Sequence, residues 1–104
     1  MVRVHARPLV LPTFYIVMWY VYILRSNKDK QLYVGLTNDL KKRINEHNMG
    51  KVSSTYLRRP FKIIYYEVHT NRYDAAKRER FLKTGWGKNW IKRTLENYFQ
   101  TFKS

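Results

Sequence analysis

Apolar residues fall along this chain in three short runs and three helical stripes. Trp19 to Leu24 (WYVYIL) and Leu32 to Thr37 (LYVGLT) are rich in β-branched and aromatic residues. The polar run Ser26-Asn27-Lys28-Asp29-Lys30 joins them, which is the pattern of an antiparallel hairpin. Both strands are apolar on two faces, so their sheet is expected to be covered on both sides. Lys62 to Val68 (KIIYYEV) adds a third strand.

The first helix follows the hairpin, with Thr37 or Asn38 as N-cap, Asp39 at the positive end of the dipole and Gly50 as the residue that ends it. Leu40 and Ile44 mark its buried stripe; His47 falls beside them and Arg43 one step further round. Both are expected on the edge of the apolar face, pointing toward the hairpin tyrosines. Lys51 to Pro60 is polar and basic and reads as a loop with about one helical turn. A second helix spans Asn71 to Lys83, capped by Asn71, with Ala75, Ala76 and Leu82 inward and Glu79 in the middle of that face. A third, from Lys88 to Phe102, carries Ile91, Leu95, Tyr98 and Phe102 on one stripe. Gly85 and Gly87 precede it at a tight corner, with Trp86 expected inside. The expected architecture is α+β, a small three-stranded antiparallel sheet flanked by about three helices. One domain occupies 18–102, and 1–17 form an N-terminal extension.

Charge changes this picture. The 104 residues hold 21 Lys plus Arg against 7 Asp plus Glu, a net charge of +14. A field of that strength on so small a body favours polyanions, nucleic acid first, over a merely solvated basic surface. Lys42, Lys51, Arg58, Arg59 and Lys83 are the candidate phosphate contacts. The absence of cysteine removes disulfide and thiolate chemistry and fits a cytoplasmic protein. The apolar run Leu9 to Leu24 is shorter than the roughly 20 residues a spanning helix needs and contains Pro12, so no membrane anchor is expected.

The acids narrow the chemistry further. Asp29 sits in a turn, Asp39 and Asp74 near helix starts, and Glu46 and Glu96 away from the buried stripes. Glu79 alone occupies an inward helical position, with Glu67 on the third strand a second-rank ligand. A buried carboxylate needs a partner. That partner is either a basic residue, Arg43 or Arg72, or one divalent cation completed by water and phosphate.

Tyr20-Val21-Tyr22, then Tyr33-Val34-Gly35, then Arg43 and His47, form an ordered set that resembles the signature of the GIY-YIG nuclease superfamily, in particular its small stand-alone bacterial members. The resemblance runs from Met18 to roughly Phe99, with Tyr20 standing where the family name has glycine. It implies a metal-dependent endonuclease that cuts DNA, RNA not being excluded, in repair or recombination. By the same resemblance Glu79 binds Mg2+ or Mn2+, Tyr33 helps to activate water, Tyr22 positions water or phosphate, and Arg43 stabilises the transition state. His47 accepts a proton or orients water, and Gly35 allows close approach within the strand. A domain this small leaves targeting to substrate shape or to a partner protein. The alternative is a non-catalytic nucleic-acid-binding module that keeps the fold and the basic surface.

Overall fold

The computed structural model describes residues 17–101. The expected extension lies outside the described residues over 1–16, as does Phe102. Three strands, β1 (Trp19–Ser26), β2 (Leu32–Thr37) and β3 (Phe61–His69), form one antiparallel sheet in the order β2-β1-β3, so the hairpin's first strand is its centre. Helices α1 (Leu40–Asn48), α2 (Arg72–Leu82), α3 (Gly85–Thr94) and α4 (Glu96–Thr101) complete the fold. The α+β architecture matches the expectation.

Strand alternation separates two apolar clusters. Val21, Ile23 and Val34 point to one face and pack with Ala75 and Leu82 of α2 and Ile91 of α3. Tyr22, Leu24 and Phe61 point to the other, against Leu40 and Ile44 of α1. Both faces are therefore covered, as the two-sided apolar strands require. A register shift opposite Ile23 and Leu24 skips Ile64, which lets Ile64 and Tyr65 both pack against the α2 side.

Helix α1 is capped one residue later than expected. Asp39 is extended and its Oδ1 accepts from the Lys42 amide at 3.1 Å. The Thr37 hydroxyl instead accepts from the amide of Asp39 at 3.1 Å and so holds the capping residue itself. Asp39→Ala is expected to cost about 1 kcal/mol, measurable by denaturant melts. Asn71 caps α2 as read from the sequence, accepting from the amides of Tyr73 and Asp74.

The single expected C-terminal helix is two. The chain leaves helical geometry at Leu95 and restarts at Glu96. Leu95 and Phe99 still pack against the same cluster across the break, which is why the apolar stripe reads as continuous. Trp86 is not inside but 80% exposed. Gly87 explains this: a Cβ there would collide with the Phe81 carbonyl and the Leu82 backbone, so the first turn of α3 presses glycine, not tryptophan, onto α2.

Candidate active site

The hairpin, α1 and the following loop build the site around a buried imidazole. His47 is 0% exposed, at the centre of its packing rather than on the edge expected from the helical wheel. Its Nε2 lies 2.8 Å from the Tyr22 hydroxyl and its Nδ1 2.8 Å from Thr55 Oγ1. Thr55 is itself fully buried and donates to the Val52 carbonyl. That bond assigns the rest: Nδ1–H donates to Thr55, and Nε2 accepts the Tyr22 O–H. The phenolic oxygen of Tyr22 keeps its lone pairs for other donors.

Burial and the positive charge of Arg43 push the His47 imidazole down to about 4, so it is neutral at pH 7. Burial pushes the Tyr22 phenol up to about 12, against a hydrogen bond from Arg43 that favours its ionised form. Tyr22 is consequently a phenol and not a phenolate at neutral pH, a donor to His47 and an acceptor toward Arg43.

Tyr33 packs its ring edge-on against His47, with centroids 5.0 Å apart, and lies 6.4 Å from the ring of Tyr22. Gly35 stands opposite Tyr22 in the β1–β2 register, and the end of the Tyr22 ring fills the space a Cβ would take. Its requirement is space. Gly35→Ala is expected to displace Tyr22 from His47 and to destabilise by about 1–3 kcal/mol, readable in a melt and in the Tyr22 ring shifts by NMR.

Arg43 sits at the partly exposed rim and pairs with Glu46 at 3.0 Å, which raises its pKa and leaves it cationic. Glu79 lies on α2, and its negative charge is the weakest of the influences that raise the Tyr22 phenol, after burial and Tyr33. Its side chain is 21% exposed and pairs with Lys83 at 3.1 Å, rather than with Arg43 or Arg72. Tyr22, Tyr33, Arg43 and His47 thus come together from β1, β2 and α1, and Glu79 of α2 acts on them through its charge at Tyr22.

Of the five candidate phosphate contacts, only Lys83 bonds to one of these residues. Lys42 and Lys51 line a shallow depression on the outer side of α1. Arg58 is tied to Asp29 at 2.7 Å and lies over the Phe61 ring, anchoring the loop to the hairpin turn. Arg59 lies over Tyr56. Lys83 stands beside Glu79 with half its side chain exposed. Glu67 is occupied: it accepts from Tyr65, His69 and Arg78, and His69 is accordingly partnered rather than a bare surface residue.

Thr55 is the residue sequence reasoning missed. Nothing marks one hydroxyl in a polar loop, although the spacing of the two buried residues Val52 and Thr55 fits one turn facing inward.

Among the described residues no group of three or more His, Asp and Glu side chains converges to hold a metal. A cation here would rest on a single protein carboxylate and complete its shell with water and phosphate oxygens, an arrangement magnesium accepts. Glu79 fits that role: it is partly sheltered, and its hydrogen-bond partner is a lysine on a flexible stem that can leave.

A family profile described as the GIY-YIG catalytic domain matches residues 18–98. A UPF0213 protein of Clostridium perfringens is 46% identical over 67 residues, covering 64% of this chain and 71% of its own. A UPF0213 protein of Bacillus pumilus is 34% identical over 85 residues, covering 81% of each. The solution NMR structure of a UPF0213 protein from Bacillus halodurans is 30% identical, covers 71% of this chain and 81% of that one, and superposes with a TM-score of 0.46.

Proposed function

Because the chain belongs to the GIY-YIG family, and within it to the UPF0213 proteins, we propose that it is a divalent-metal-dependent endonuclease hydrolysing DNA phosphodiester bonds. The observation that carries this reading is the buried Tyr22–His47 hydrogen bond with Tyr33 against the same imidazole and Arg43 bonded to the same phenol, a cluster on which the charge of Glu79 also acts.

Cleavage needs an oriented water, neutralisation of charge on the nonbridging oxygens, and help for the leaving oxygen. A bound Mg2+ or Mn2+ would supply Lewis acidity at the phosphate. Glu79 would hold the cation, and Lys83, released from it, would be free to meet a neighbouring phosphate oxygen. Arg43, always charged, donates to the oxygens that gain charge in the transition state. Tyr22, its proton committed to His47, presents its oxygen as an acceptor that orients the attacking water. Tyr33 stands across the same space and relays that water's proton, its oxygen accepting the proton as its own O–H proton passes to solvent. His47 fixes the direction of the Tyr22 hydroxyl and, being neutral and buried, adds no charge of its own.

Five-prime-labelled linear, branched and single-stranded DNA, with RNA beside them, incubated with and without Mg2+, tests the activity. Metal-dependent cutting of DNA supports it; intact substrate under every condition rejects it. A second reading, a binding module without chemistry, is favoured by the Lys83–Glu79 pair, a carboxylate already neutralised. It predicts binding with no cutting in the same assay. Either way, affinity is expected to fall steeply with salt, by about 10³-fold or more between 50 and 200 mM if six or more phosphates are contacted, as fluorescence anisotropy would show.

Among the described residues no helix is long and apolar enough to cross a membrane. The nuclease reading puts the protein in the cytoplasm, with its nucleic-acid substrate.

A further inference from the structure

Beside the proposed site lies a cleft of about 810 Å³ of whose lining the chemistry above uses only Tyr33 and Lys83. β2 is an edge strand, and the cleft opens along its unpaired side, between Leu32 and Tyr33 on one wall and the facing sides of α3 and α4 on the other. Leu32, Ile91 and Phe99 give it an apolar floor, while Lys83, Lys88 and Lys92 rim it against a single carboxylate, Glu96. Two of its residues belong to both spaces: Tyr33 packs against His47 and also lines the cleft, and Lys83 bonds Glu79 and also lines it. A strand whose phosphate lies between Tyr33 and Arg43 therefore has its next nucleotide at the mouth.

We propose that this cleft seats one nucleobase turned out of the DNA stack, the nucleotide beside the phosphate to be cut. The chemistry matches on each side. A base has a flat π face for Phe99 and the aliphatic wall, and the phosphates flanking it are anions for the lysine rim. A pocket of several hundred Å³ with apolar walls and few polar groups is the usual form of a site for a ligand of this size. A paired base stays in the helix, so the cleft selects DNA in which that nucleotide is unpaired or easily unpaired.

The inference rests on the nuclease reading only for where the phosphate lies, and its test is binding in EDTA, with no cutting involved. Fluorescence anisotropy would compare a perfect duplex, the same duplex with one extra unpaired nucleotide, and that duplex with an abasic residue in the extra position. Wild type is expected to bind the bulged base about fivefold or more tighter than the abasic bulge. Gln100→Trp, which fills the cleft from the surface of α4, should abolish this preference. Lys92→Ala, an exposed change, should weaken both bulged duplexes without removing the difference. Equal affinity for base and abasic bulges, or a preference that survives Gln100→Trp in a protein with wild-type circular dichroism, would overturn the proposal. A base preference in a protein that cuts nothing would leave it standing and reject the nuclease reading instead.

Discussion

Glu79→Gln is expected to lower the single-turnover cleavage rate by about 10³-fold or more while leaving DNA affinity within a few-fold of wild type. The substitution keeps size and removes charge. Its separation of rate from affinity follows from the acid inventory: among the described residues no group of three or more His, Asp and Glu side chains converges, and Glu46, the acid beside Arg43, is already paired with it. Binding survives because it rests on a field of +14, which the loss of one carboxylate only strengthens. Lys83 gives a control. Lys83→Ala removes the partner of Glu79 and one phosphate contact together, so its rate should fall far less than that of Glu79→Gln. Equal loss in the two variants would make the ion pair structural and Glu79 no ligand.

The second large effect is on stability. His47 donates to Thr55, accepts from Tyr22 and has no exposed surface, so His47→Ala leaves a cavity and strands two buried hydroxyls. The expected loss is about 3–5 kcal/mol. Its pH signature has a definite sign. The folded imidazole titrates near 4 and the unfolded one near 6.5, so the unfolded chain binds the extra proton in that window. The contribution is fully present above about 6.5 and is lost progressively as pH falls toward 4, on the order of 3 kcal/mol in all. Urea melts between pH 7 and 4 check this. His47→Gln, which can still bridge the two hydroxyls but does not titrate, should flatten that part of the profile. An unchanged acid limb in His47→Gln would show that other groups carry it.

The fold was legible where one physical signal dominated. Two-sided apolar strands around a polar turn admit little besides a covered hairpin, and Ala75 and Leu82 of α2 are buried as the wheel places them, while Ala76 and Glu79 are only half-buried. The errors have a common cause, which is tertiary contact overriding a local rule. Trp86 has the composition of a core residue, but the backbone contact that Gly87 permits with α2 is closer than any tryptophan could reach. The break at Leu95 leaves the apolar period intact, so no periodicity argument can find it.

The site divides in the same way. Tyr22, Tyr33, Arg43, His47 and Glu79 could be singled out once their order and spacing were matched to the GIY-YIG signature they resemble. The direction of the Tyr22 hydroxyl could not, since it depends on Thr55, in a loop whose sequence carries only polarity. Nor could the pairing of Arg58 with Asp29, which turns a candidate phosphate contact into a loop anchor and depends on the fold of both segments.

Paramagnetic broadening by Mn2+ in the NMR spectrum of the isotopically labelled protein locates the cation without any reliance on cleavage. If Glu79 carries it, sub-stoichiometric Mn2+ erases the signals of Glu79, Tyr33 and Arg43 before others, and in Glu79→Gln those signals persist. Broadening centred elsewhere, or the same pattern in wild type and Glu79→Gln, would contradict the assignment of the metal to this carboxylate and with it the proposed mechanism.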